Sequence, residues 1–332
     1  MELVIDKPEL QILLNLLPDD VVISYPLYGN FPLLRFRREG YGYRIEALVQ
    51  PENFSRILSE RKDTFHDLPT YRDFHECVLA SGIIKYANLY DFKKHLESYE
   101  LLSKRVIFAP DTNIFYHRFI STYPPLRKYE LAVVDVVIWE IEQSMNYKYH
   151  LGHINALKRI LYNPHLIDEF HNRRMKKSRK AAYIALKEFK ALKNRIMEVR
   201  RVHENVGTND ELIVKSLKEF DKETPSLVVL LTADIAMTDI AELEGLEYFL
   251  FEYPHEKIST HHATPYQMRT LLFNLASVFG VIQVEDVLVF GEFGGKVKLN
   301  DLKLKFLGNS ISHEFTFHLK LSRKLRELKI ER

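Results

Sequence analysis

The chain of 332 residues contains a single cysteine, Cys77, which excludes an internal disulfide framework and a cysteine-rich zinc site. A lone thiol fits a reducing compartment, and a cytoplasmic location is expected. The opening stretch MELVIDKPELQILL carries acids where a secretory signal would start basic, and no small-residue cleavage site follows, so export is not expected. Long hydrophobic runs are also missing. The longest uncharged apolar stretch, Thr270 to Val284, contains Asn274, Gly280 and Gln283 and falls short of the roughly 20 residues a membrane span requires. No membrane partner is expected. Glycine is scarce, at 12 residues, and none forms G-x-x-x-x-G-K-S/T, G-x-G-x-x-G or G-x-S-x-G. P-loop nucleotide hydrolysis, a Rossmann cofactor site and a hydrolase nucleophile elbow therefore have no support. Net charge is nearly absent too, with 47 Lys and Arg against 45 Asp and Glu. Any surface for a polyanion must come from where the charge sits.

What is present is 46% hydrophobic residues and a length that suggests two or three domains. Residues 1–103 alternate short apolar runs with turn signals and suggest a small N-terminal accessory α/β domain. Within it, LLRFRREGYGYRIEALV predicts a hairpin turning at Glu39-Gly40, and PENFSRILSERK predicts a helix with Pro51 in its first turn. Residues 104–256 read differently. VIFAP (106–110), LAVVD (131–135), SLVVLLT (226–232) and LEYFLFEY (246–253) are apolar strand candidates, and the first three each lead into a helical pattern. That alternation predicts an α/β fold with a parallel sheet covered on both faces. A basic helical insertion, about 150–205, interrupts it. Residues 262–332 open with the amphipathic helix PYQMRTLLFNLASVFG, then alternate in VLVFGEFGGKVKLNDLKLKFLG and HEFTFHLKL, which predicts an antiparallel β region.

In an open α/β sheet, ligands bind beyond the carboxyl ends of the strands. Asp111 follows VIFAP directly, and Asp234 follows LVVLLT after Ala233. Glu140 lies early in the helix after LAVVD, and Asp210 lies in the first turn of NDELIVKSLKEF. A parallel sheet would bring all four acids to one edge. Clustered carboxylates raise one another's pKa, and a hard cation relieves the repulsion. Mg²⁺ or Mn²⁺ takes oxygen ligands, keeps several waters and leaves room for phosphate oxygens, where it can polarise the phosphoryl group and activate water.

The motifs DTN at 111–113 after an apolar strand, Glu140 in VVIWEIE, Asp210 in TNDELI and Thr232-Ala233-Asp234 after a strand resemble, in their order, those of PIN-domain nucleases. The resemblance covers the central part of the chain and departs from the family pattern at the insertion before Asp210. It implies that Asp111, Glu140, Asp210 and Asp234 bind one or two metal ions and carry catalysis, with Asn113 and Thr232 positioning the first and last acids through hydrogen bonds. It further implies a metal-dependent phosphodiesterase that cuts RNA internally, leaving 5′-phosphate and 3′-hydroxyl ends. The alternatives are a structure-specific DNA nuclease and a non-catalytic RNA-binding or scaffold protein. A homo-oligomer is compatible with either. Glu142 competes with Glu140, which is preferred because it directly precedes an aliphatic residue as the family's acid does. Asp239, one turn beyond Asp234, is read as solvated.

Within the insertion, His171 to Val202 holds twelve Lys and Arg against two Glu. Such a run is the electrostatic footprint of phosphate contact. Arg173, Arg174, Lys176, Lys177, Arg179 and Lys180 are its densest part and the expected nucleic-acid-binding residues. In the N-terminal hairpin, Tyr25, Tyr28, Phe31, Phe36, Tyr41 and Tyr43 interleave with arginines, a pattern that suits either base stacking or one buried face of a sheet.

Overall fold

The computed structural model describes residues 1–54, 67–147, 149–170, 174–202, 207–254, 258–309 and 311–329. Thirteen strands are present among the described residues. In chain order they are β1 (Glu2–Asp6), β2 (Asp20–Tyr25), β3 (Phe31–Glu39), β4 (Gly42–Ala47), β5 (Val106–Pro110), β6 (Glu130–Val134), β7 (Ile196–Val199), β8 (Leu227–Thr232), β9 (Glu247–Leu250), β10 (Thr260–Ala263), β11 (Val281–Val284), β12 (Val287–Phe290) and β13 (Asp301–Phe306). They form two sheets that fall in two units, one comprising residues 1–77, 148–179 and 257–332, the other 78–147 and 180–256.

The first unit holds an eight-stranded antiparallel sheet, ordered β1-β13-β12-β11-β2-β3-β4-β10. The expected division into separate N- and C-terminal domains is therefore corrected. Strands from both chain ends pair directly, Leu3 opposite Leu304 and Ile23 opposite Val284. The hairpin forms where expected, with Glu39 paired to Gly42. Its aromatics are mostly core, since Tyr25, Tyr28, Phe36 and Tyr43 are buried, which removes them as a base-stacking face. The helix Pro265–Phe279 packs on this sheet and is buried without a break from Thr270 to Phe279.

One expected strand is instead a helix. HEFTFHLKL falls in the helix Ser312–Glu327, where Phe315 and Leu319, one turn apart, are buried. The alternation of apolar residues there is local, and the strong helix formers of LKLSRKLRE decide the outcome. Of the predicted helix at 51–62, residues 51–54 are helical and the rest lies outside the described residues.

The second unit holds a five-stranded, all-parallel sheet, ordered β7-β6-β5-β8-β9. Buried β-branched and other apolar residues form β5, β6 and β8, as both faces of the sheet are covered. β7 was not expected. It sits at the sheet edge inside the stretch read as a helical insertion. That stretch is itself divided, residues 148–179 joining the first unit and residues from 180 onward joining the parallel sheet. No helix among the described residues is long and apolar enough to cross a membrane.

Candidate active site

The chain runs outward from β5 through β6 to β7, then returns to the other side of β5 for β8 and β9. The order reverses between β5 and β8, and the crevice beyond the carboxyl ends of two such strands is where open α/β sheets take ligands. Two of the acids leave the sheet there. The register pairs Pro110 with Leu231, so the next residues, Asp111 and Thr232, stand level, and the Asp111 amide donates to Leu231 O at 3.0 Å.

Asp111 turns from extended backbone into the helix Thr112–Tyr116 and caps it, its Oδ1 accepting from the Ile114 amide at 2.8 Å. Its Oδ2 accepts from Thr232 Oγ1 at 2.6 Å. The carboxyl group is 1% exposed. Burial pushes its pKa up to about 6, and Asp234 pushes in the same direction, while the bonds from Thr232 and Ile114 and the influence of His117 oppose the rise. Asp234 caps the helix Ile235–Glu244 through the Ala236 amide at 2.9 Å, and its own amide donates to Thr232 Oγ1 at 3.0 Å. One hydroxyl thus ties both acids to the end of β8.

Glu140 projects from the helix Asp135–Met145. Its Oε2 accepts from Thr112 Oγ1 at 2.5 Å and its Oε1 from Asn209 Nδ2 at 2.8 Å. Those bonds link the acid to the Asp111 helix on one side and to the helix Asn209–Glu223 on the other. Asp210, in the first turn of the latter, has its pKa raised first by burial and then by the charges of Asp234 and Glu140. Hydrogen bonds through Thr232, Thr112 and Asn209 thus connect the segments that carry the four acids. Glu142 and Asp239 are exposed on the same two helices that carry Glu140 and Asp234.

Asn113 does not take its expected role. Both Asp111 oxygens are occupied by Ile114 and Thr232, and among the described residues the Asn113 side chain makes no hydrogen bond. Thr112, its neighbour, makes the link to Glu140 instead. Thr112 and Asn209 were missed because each carries only a short polar side chain inside or beside a motif read for its acid. His117 was missed as well. It is buried behind Asp111, its Nδ1 lying 2.6 Å from Tyr86 Oη.

The basic cluster separates by environment. Arg173 lies outside the described residues. Arg179 is 1% exposed and donates to Val278 O at 3.0 and 3.2 Å and to Arg174 O at 2.6 Å, which corrects its assignment to a phosphate-binding surface. Lys176 is ion-paired to the buried Asp73 at 2.9 Å. Lys177 is exposed, and Arg174 and Lys180 are partly so.

A divalent cation suits this donor set on chemical grounds. The four acids offer only oxygen ligands, and no lysine or arginine among the described residues forms a salt bridge with any of them. Among the described residues no three His, Cys, Asp or Glu side chains lie close enough to hold a metal jointly. Cys77 is buried, and burial pushes its thiol well above the usual range, so it is no nucleophile.

No curated protein matches the chain. The stretch from within β5 to just beyond β9, residues 108–251, matches the family model of the PIN domain. It contains all four acids and the sheet reversal that gathers them, and this central part of the chain is a PIN domain.

Proposed function

We propose that the chain is a divalent-metal-dependent phosphodiesterase, an endoribonuclease that hydrolyses RNA to 5′-phosphate and 3′-hydroxyl ends. PIN domains are generally nucleases, and the hydrogen-bond network that ties Asp111 and Asp234 to Thr232, and Glu140 to Thr112 and Asn209, supports the reading for this one. RNA is preferred to DNA because most nucleases that the central part resembles act on RNA.

Asp111, Asp210 and Asp234 would hold Mg²⁺ or Mn²⁺, one or two of them directly and the rest through bound water, and the ion would polarise the phosphoryl oxygen and make water more acidic. The Thr232 hydroxyl orients Asp111 by donating to its carboxylate and anchors Asp234 by accepting from the Asp234 backbone amide. Glu140, which accepts from Thr112 and Asn209, would complete the ligand shell or orient the attacking water. Arg174, Lys177 and Lys180 are the members of the basic cluster whose placement is compatible with phosphate contact.

The test is incubation with end-labelled single-stranded and structured RNA and DNA, in Mn²⁺, Mg²⁺ or EDTA, beside Asp111→Asn. Cleavage of RNA that needs metal and is lost in the variant is expected. Cutting in EDTA, or undiminished cutting by Asp111→Asn, would falsify the catalytic assignment, and preference for DNA would reverse the substrate assignment.

A further inference from the structure

The residues that follow Lys180 form a π-helical segment, Ala181–Ala185, with all five side chains buried. Such segments are rare and concentrate at functional sites. This one packs against two helices, Thr112–Tyr116, which Asp111 caps, and Asp135–Met145, which carries Glu140. The packing sets Lys180 over the last residue of the Asp111 helix, its Nζ lying 5.2 Å from the Tyr116 ring centroid. Tyr116 in turn stands beside Glu140 and Ser144, whose charge and hydroxyl both act on its phenol.

From Asp111 to Tyr116 the helix advances about 7.5 Å, at 1.5 Å per residue. A nucleic-acid strand brings one phosphate for about each 3.4 Å of axis. A strand with its reacting phosphate at the acids would carry a second one toward Lys180. That strand meets an edge where four carboxylates repel it, and a lysine seated on an aromatic face is partly desolvated and aimed. Of the six basic residues in the densest part of the insertion, Lys180 alone falls in the nuclease unit.

We infer that Lys180, seated on Tyr116, binds a substrate phosphate next to the acidic edge and positions the strand for cleavage. The inference rests on the nuclease reading and assigns a substrate contact within it.

The full chain is tested as wild type, Lys180→Gln, Lys180→Arg, Tyr116→Leu and Lys177→Gln. Binding of a fluorescein-labelled single-stranded RNA is measured by anisotropy in EDTA at three salt concentrations. Steady-state cleavage in Mn²⁺ and Mn²⁺ affinity without RNA are measured alongside. Lys180→Gln should weaken binding about tenfold, the worth of one charge-assisted contact. Its log affinity against log salt should be shallower by about 0.7. KM should rise far more than kcat falls, Mn²⁺ affinity should hold, Lys180→Arg should retain binding, and Tyr116→Leu should shift binding the same way as Lys180→Gln. Superimposable salt lines for wild type and Lys180→Gln would overturn the assignment, as would equal losses in Lys180→Gln and Lys180→Arg or a larger loss in Lys177→Gln. A wild type that binds RNA but leaves it uncut in Mn²⁺ would remove the nuclease reading, while the binding measurements would still decide for or against Lys180.

Discussion

Thr232 donates its hydroxyl to Asp111 Oδ2 at 2.6 Å, and through the same oxygen it accepts the amide of Asp234 at 3.0 Å. Thr232→Val keeps the shape and removes both bonds. Stability should fall by about 2 kcal/mol, the cost of leaving buried polar groups unmet. The lost bond favoured the charged form of Asp111, so the acid limb of the activity profile should move to higher pH. Thr232→Ser should restore both properties. Denaturant unfolding and a pH profile check this, and a valine variant matching wild type in both would dissolve the link.

Metal-free stability should carry the mark of Asp111. Its pKa in the folded chain is about 6, above the ordinary 3.8, so the folded state holds the proton more tightly than the unfolded one. The associated stability is present below about pH 4 and is lost as pH rises through about 6, by about 3 kcal/mol in total. Asp111→Asn removes this term. Urea unfolding in EDTA at several pH values should show wild type losing ground to the variant across that window. A constant difference between the two would contradict the assigned environment.

Metal affinity should fall on the same limb, because a ligand carboxyl must release its proton before it binds. Titration with Mn²⁺ at pH 5 and pH 7 should give tighter binding at pH 7 and release of a proton at pH 5. Equal affinity at both would separate Asp111 from the metal.

Glu140→Gln should lower cleavage by about 100-fold or more, in the range of a positioned acid or base. Glu142→Gln should cut normally, since Glu142 is exposed on the same helix. The opposite ranking in single-turnover assays would exchange their roles.

Arg179→Ala should damage folding and not RNA affinity. Its guanidinium satisfies the carbonyls of Val278 and Arg174 while fully buried, and its removal should cost about 3 kcal/mol. Chemical denaturation read beside RNA anisotropy of the folded fraction distinguishes the two roles. Normal stability with weakened binding would return Arg179 to the surface.

Legibility from sequence followed the range of the forces involved. β5, β6 and β8 were readable because strands buried on both faces become continuous apolar runs, and Asp111 and Asp234 could then be placed at their ends. β7 was not, because IMEV lies between charged residues and carries no run long enough to stand out. The sequence alone divides the eight-stranded sheet in two, because pairing between residues about 300 positions apart leaves no local trace. Arg179 and Lys180 are adjacent members of one charge run. Only tertiary packing sends the first into the core and seats the second on Tyr116.

The pairing of β1 with β13 also sets a timetable. The Met1 carbonyl accepts the amide of Phe306 at 2.9 Å, across a sequence separation of 305. At about 5 to 20 residues per second, a ribosome needs about 15 to 60 s to make the partner that β1 awaits. Contacts so distant in sequence slow folding, because the loop must close before they yield anything. In that interval every strand of the parallel sheet has been synthesised, while β1 still lacks its neighbour β13 and β2, already paired with β3, lacks β11 on its other edge until late. The parallel-sheet unit can therefore settle first, and a chain stopped short of β11 would leave the edges of β1 and β2 open to pairing with other chains.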